Sequence, residues 1–282
     1  MRSNRSEESS ARALPERIPR PLADALTRSG DRLGVFTSTV VFFPTIGSTN
    51  DAAAGRSPER LALGEGAVVF AEEQTAGRGR RGRTWFSPPG SGLYVSVVLA
   101  PSRSADPRRA TTLLTLAAGV ALAEAIERQT NLSIDLKWPN DLYIRNKKIG
   151  GILAELHRDR RRSVLVLGYG INVRQTAYPP EISDRATSLE SELGRAIDRY
   201  DLLVETLAEL STRYEDLVAG RFDVILDAWR CRAPGARGAR VTWMTGDGLR
   251  NGVTAGIDDD GALLVHVDGR VERIVGGEVR WS

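Results

Sequence analysis

The chain has 282 residues, is 41% hydrophobic and 27% charged, and carries a formal net charge of +3, which is the profile of a globular protein with one large domain and a small one. No run reaches the roughly 20 apolar residues of a membrane span, and the N-terminus lacks an apolar signal core, so neither membrane insertion nor secretion is expected. Cys231 is the single cysteine, which excludes an internal disulfide and points to a reducing, cytoplasmic compartment, and two histidines, His157 and His266, argue against a Cys/His zinc site or a Ser-His-Asp triad.

Residues 1–39 are rich in Arg, Ser, Pro and Glu and weakly periodic; they read as a largely disordered tail with at most one short helix near Leu22 to Thr27. VVFFP at 40–44 reads as a strand, and GSTNDAAAGR offers Ser48 or Thr49 as the cap of a short helix. AVVFAEEQT at 67–75 is a strand running into GRGRRGR at 77–83, and LYVSVVLA at 93–100 is a buried strand. Residues 108–128 form a long helix. SIDLKWP, DLYIRN, KIGGILAEL and VLVLGYGINV are strand-like, with Asn146 in a tight turn and HRDRRRS at 157–163 as a hairpin tip. Helices follow over 197–220, capped by Asp198, and over FDVILDAWRCR. APGARGAR at 233–240 reads as a linker to a small all-β unit, expected to be an SH3-like barrel. The organisation expected is thus a tail at 1–39, a catalytic domain at 40–232 and a C-terminal domain at 233–282.

Two segments carry the chemistry. GRGRRGR puts four arginines among three glycines, more positive charge than the net charge of the whole chain. Arginine presents a planar fork of donors to phosphate or carboxylate, and glycine lets backbone curl around a ligand. A nucleotide lid and a flexible nucleic-acid-binding loop both fit these residues. Trp85 and Phe86, just past the loop, suit either core packing or stacking on a base. The second segment, KWPNDLYIRNKKIGGIL at 137–153, holds all three lysines of a chain with 36 arginines. A compact ammonium meets a single oxygen in a narrow pocket where a guanidinium does not fit. Lys148 is the position read as rejecting arginine, Lys137 is a phosphate or structural candidate, and Lys147 is a turn residue. Asp141 offers a carboxylate for a magnesium ion that also holds phosphate.

GSTN, EEQTAGRGRRGRTWFSPPGSGLYVS, KWPNDLYI, KKIGGILAEL and GYGINV, in this order, resemble the biotin protein ligases, over about residues 40–282. The resemblance implies an α/β (α+β) fold related to class II aminoacyl-tRNA synthetases, a mixed sheet with helices, plus the SH3-like C-terminal β-barrel. It implies a monofunctional enzyme without a DNA-binding domain, since about 40 residues precede the core. ATP and biotin would be substrates, with Mg²⁺, and the partner would be the biotin carboxyl carrier domain of acyl-CoA carboxylases. No specific DNA binding, no membrane and a monomer or weak dimer would follow.

By the same resemblance, Lys148, Arg80 and Asp141 would be catalytic. Ser48, Thr49, Asn50, Gln74, Arg78, Gly79, Arg80, Lys148, Gly150 and Gly151 would bind biotin. Arg78, Arg80, Arg83, Trp85, Asn140, Lys148 and Asn172 would bind ATP and the adenylate. Gly168 and Gly170 would line the site, Glu278 would close over ATP, and Asp141 would orient Mg²⁺. A lipoate ligase shares the fold and a reactive lysine, but typically lacks the pairing of GRGRRGR with KWPND. A nucleic-acid-binding protein would show steeply salt-dependent binding and no ATP–pyrophosphate exchange.

Overall fold

A computed structural model describes residues 14–57, 61–158, 163–246 and 248–281. Seven strands form its larger sheet: β1 Thr39–Ile46, β2 Ala67–Gln74, β3 Gly92–Leu99, β4 Asp135–Lys137, β5 Asp141–Ile144, β6 Lys147–Arg158 and β7 Ser163–Asn172. Their spatial order is β1-β2-β3-β7-β6-β5-β4. β1 and β2 run parallel, joined through the short helix α2, Thr49–Ala53; the remaining neighbours are antiparallel.

The sheet is covered on both sides, and strand alternation sorts its residues. Val68 and Phe70 face the larger core, while Val69 and Ala71 face a smaller one under α2. The larger core is closed by α3 Pro107–Thr130, the short α4 Leu189–Leu193 through its Leu189, α5 Arg199–Val218 and α6 Phe222–Cys231. Asp198 caps α5 by accepting from the N–H groups of Tyr200 and Asp201. α3 is apolar and long enough to cross a membrane, contrary to the expectation that no segment would be; 72% of its most apolar window is buried, which makes it the core helix.

The short helix expected near Leu22 to Thr27 is present as α1, Arg20–Arg28. The segment departs from the expected tail in its packing: Leu22, Ala25, Leu33 and Phe36 are buried in the larger core. Arginines that read as a tail are ion-pair partners of α5: Arg28 lies 3.0 Å from Asp201 and Arg32 2.7 Å from Glu205. Residues 1–13 of the expected tail lie outside the described residues, as does the tip of the β6–β7 hairpin at 159–162.

The expected linker is also structured. Pro234–Ala236 makes a 3-10 turn with Ala236 buried, and Arg237 already starts β8. Its small residues let the chain turn closely against Trp281, whose indole nitrogen would lie 3.1 Å from a Cβ at Gly235. β8 Arg237–Thr245, β9 Gly248–Ile257, β10 Leu263–Val267, β11 Arg270–Ile274 and β12 Val279–Trp281 form an antiparallel sheet of order β11-β10-β9-β8-β12. Val241, Trp243, Leu263 and Val265 join the larger core, so the two sheets share it. Trp138 donates to Gly261 O at 2.9 Å across this junction.

Candidate active site

Leu165, Leu167, Tyr169 and Ile171 of β7 turn into the larger core, so Gly168, Gly170 and Asn172 fall on the opposite face. There the sheet, the arginine-glycine loop and the C-terminal segment enclose a cavity of about 1000 Å³. Ser48, Thr49, Asn50, Gln74, Arg78, Gly79, Arg80, Arg83, Trp85, Asn140, Asp141, Lys148, Gly151, Gly168, Gly170, Asn172 and Glu278 all line it. Gly150 is the exception among the expected residues. It does not line the cavity, because a Cβ there would meet Gly170 O at 3.0 Å and the Leu142 side chain within the sheet.

One end of the cavity is a neutral network. Thr49 donates to Gln74 Oε1 from its backbone N–H at 2.9 Å and from its hydroxyl at 3.0 Å. Gln74 Nε2 donates to Ser87 Oγ at 3.1 Å. Ser96 Oγ lies 2.8 Å from Thr49 Oγ1 and 2.6 Å from Asn50 Oδ1. A Cβ at Gly168 would overlap the Asn50 amide, so glycine is required there. Ser48 flanks α2 without a side-chain cap bond.

The arginine-glycine loop is folded, with Gly79 N–H on Arg83 O at 2.7 Å and Trp85 N–H on Gly77 O at 2.9 Å. Arg78 uses both arms of its fork, on Asp51 at 2.6 Å and Glu155 at 2.7 Å. Burial opposes its charge, but these carboxylates outweigh burial and raise its pKa. Its guanidinium therefore anchors the loop. Arg83 reaches Glu278 at 2.6 Å, and that contact, with Arg280, holds the Glu278 carboxyl below its ordinary value.

Cations occupy the other end. Arg80 makes one side-chain hydrogen bond among the described residues, to Asn140 Oδ1 at 3.1 Å. Burial lowers its pKa despite the nearby Asp141. The Lys137 ammonium lies 5.0 Å from the Tyr143 ring centre and 4.7 Å from that of Trp281, and burial lowers its pKa too. Lys148 Nζ is 2.6 Å from Asp141 and 5.5 Å from the Trp85 ring centre. The Trp85 indole lies over Gly170 and Gly151, where side chains would collide with it. Its Nε1–H is buried and has no acceptor among the described residues. Lys147 faces water as expected, but it opens β6 directly after the Arg145–Asn146 turn rather than lying in the turn.

No group of three or more His, Cys, Asp or Glu side chains suited to a metal occurs among the described residues. A magnesium ion held mainly by phosphate oxygens needs only one or two carboxylates, and Asp141 fits that modest role, though Lys148 already bonds one of its oxygens.

Four contributors escaped the sequence reading. Ser96 interrupts an apolar strand, which was a usable signal. Glu155 and Asp51 act through Arg78, a pairing that no spacing reveals. The segment with Tyr178, Ile182 and Arg185 closes the cavity because Lys148 N–H bonds Arg185 O at 2.8 Å and Asn172 Nδ2 bonds Thr187 O at 3.0 Å.

Residues 42–172 match the Biotin/lipoate A/B protein ligase family. The chain is 36% identical over 265 residues to the Bifunctional ligase/repressor BirA of Bacillus spizizenii, covering 93% of this chain and 79% of that protein. It is 34% identical over 277 residues to the Biotin--[acetyl-CoA-carboxylase] ligase of Mycobacterium tuberculosis, covering 95% and 97%. The Aquifex aeolicus biotin protein ligase, solved in complex with biotin and ATP, superposes with a TM-score of 0.75 at 30% identity, over 87% of this chain and 99% of that one. The chain belongs to the Biotin/lipoate A/B protein ligase family, among its biotin protein ligases.

Proposed function

We infer that this protein is an ATP-dependent ligase that attaches biotin to a lysine of a carrier domain through biotinyl-5′-AMP. The observation that carries this is one cavity with a neutral hydrogen-bonding end at Thr49, Asn50 and Gln74 and a cationic end at Arg80, Lys137 and Lys148. A neutral, amide-rich end suits the ureido ring, and the cations suit a carboxylate and phosphates.

In the first step a biotin carboxylate oxygen bonds to the α-phosphorus of ATP, and the bond to the leaving pyrophosphate breaks. Two anions must meet, so positive charge fixed beforehand lowers the barrier. Lys148 meets both reacting groups, Arg80 covers the carboxylate, and Arg83 and Asn140 contact phosphates. Magnesium, when bound with ATP near Asp141, neutralises phosphate charge. Trp85 packs against adenine, and Asn172 holds the segment that borders it. In the second step a neutral lysine amine attacks the acyl carbon, AMP leaves, and Asp141 receives the amine's proton. Holding the reactants side by side supplies much of the remaining acceleration.

The acceptor in this reading is the biotin carboxyl carrier domain of an acyl-CoA carboxylase. The protein works in the cytoplasm as a monomer or weak dimer and has no specific DNA target. Its domains are the catalytic unit at 40–232, with α1 and the segment up to Phe36 packed into its core, and a C-terminal unit at 233–282, whose five antiparallel strands suit an SH3-like barrel. Biotin-dependent ATP–pyrophosphate exchange, with lipoate as the competing acid, tests the reading. Exchange with biotin and little with lipoate is expected; exchange with neither acid, or preference for lipoate, refutes it.

A further inference from the structure

We propose that Glu155 is a positioning residue that sets affinity for the acid substrate, by fixing the orientation of Asn50 and the arginine-glycine loop from one carboxylate oxygen. The proposal rests on the reading of Asn50 and its neighbours as the biotin end of the cavity.

Glu155 Oε2 accepts from Asn50 Nδ2 at 2.7 Å and from Arg78 Nη2 at 2.7 Å. The two donors belong to different segments, α2 and the loop after β2. Glu155 itself sits on β6, which pairs with β7 from Gly150 to Arg158, opposite Val166. A residue fixed in the sheet thus orients two connecting segments.

The chemistry of the acceptor matters. An ionised carboxylate can only accept, so it obliges Asn50 to turn its NH₂ toward β6. Asn50 Oδ1 is then left beside Ser96 Oγ, at 2.6 Å. A glutamine at 155 could donate instead, and the Asn50 amide would lose its fixed sense. Asp51 on Arg78 at 2.6 Å keeps the loop tethered when Glu155 is changed, so the defect should be one of orientation rather than of folding.

His157 points to the same oxygen, with Nε2 3.7 Å from Glu155 Oε2. Arg56 Nη1 lies 3.2 Å from His157 Nδ1. Arginine can only donate, so Nδ1 accepts and the imidazole proton sits on Nε2, facing the carboxylate. At that distance Nε2 makes no hydrogen bond to the carboxylate, and it has no partner among the described residues, so Glu155 Oε2 is left to Asn50 and Arg78.

The test is steady-state ATP–pyrophosphate exchange on the full-length protein, with biotin and ATP varied separately. Losing a hydrogen bond to a charged group predicts that Glu155→Gln raises the KM for biotin about tenfold, with kcat and the KM for ATP changed less than about twofold. Glu155→Asp, which keeps an acceptor-only group but shortens its reach, should fall between. A wild-type-like KM for biotin in Glu155→Gln, or equal changes in both KM values, overturns the role. If Glu155→Gln does not fold by circular dichroism, Glu155→Asp decides: an unchanged KM for biotin overturns the proposal. A wild-type protein without biotin-dependent exchange removes the proposed function and this role together. An active wild type with a negative variant removes only the role.

Discussion

At the scale of single residues, the composition of the basic residues was informative. The chain uses arginine 36 times and lysine three times, and Lys148 is the lysine that reaches a carboxylate in the cavity. Its Nζ lies 3.4 Å from where a Cβ at Gly151 would sit, so the ammonium runs along a bare stretch of backbone. A planar guanidinium is longer and wider and does not fit that track. Lys148→Arg should reduce biotin-dependent pyrophosphate exchange by about 100-fold, the usual scale for removing one preorganised donor, while the melting curve stays close to wild type. Near-normal exchange would mean that positive charge alone suffices. His157 gives a second residue-scale prediction. Burial lowers its pKa, and Arg56 and Arg78 push the same way against Glu155 and Asp51. The folded state therefore binds its proton less readily than the unfolded state, for which about 6.5 is the ordinary value. The stability contributed by this neutral imidazole is present above that pH and lost as the pH falls toward the folded value. Urea titrations from pH 7.5 to 5 should show the wild type losing stability more steeply than His157→Gln. Identical slopes would exclude His157 as a source of acid sensitivity.

At the scale of elements, the fold was legible wherever pattern and burial agree. GYGIN alternates small or polar with apolar residues, and the structure turns Tyr169 and Ile171 inward and Gly168, Gly170 and Asn172 toward the cavity. Arg145 and Asn146 both take left-handed backbone, φ 47 and 65, so DLYIRNKKI closes as a two-residue hairpin. The short helix of the N-terminal segment was legible, but its docking was not, because its apolar residues are few and its charges are many. Those charges find partners on α5, a helix about 170 residues away in sequence, and local composition holds no trace of such pairing. The same limit hid Glu155: its partners Asn50 and Arg78 lie 105 and 77 residues away. The docked α1 makes a simple prediction. Leu22 is fully buried, so Leu22→Ala should cost about 2–5 kcal/mol, as for other large-to-small core changes. A disordered tail would make the same substitution silent in a urea melt.

At the scale of the whole molecule, the cavity is completed by residues from both sheets. Trp281 of β12 stacks on the Lys137 ammonium, Trp138 bonds Gly261 O, and Glu278 pairs with Arg83 of the arginine-glycine loop. The first two contacts are half-buried and tie the two units together. The third is different in kind: Arg83 is 64% and Glu278 32% exposed, so solvent screens the pair and its contribution to stability is small. It neutralises an arginine that lines the cavity and, in the proposed function, contacts phosphate. In the proposed function an incoming triphosphate competes with the Glu278 carboxylate for that guanidinium, whereas biotin, held at Thr49, Asn50 and Gln74, does not. Glu278→Gln should therefore lower the KM for ATP about two- to threefold, in line with the modest worth of an exposed pair, and leave the KM for biotin unchanged. Added salt should shrink the difference, since screening weakens the competing pair in the wild type. Combining the change with Arg83→Ala should abolish the gain, because the guanidinium for which the two anions compete is then gone. A gain that survives in the double variant would show that Glu278 acts on the nucleotide directly and not through Arg83.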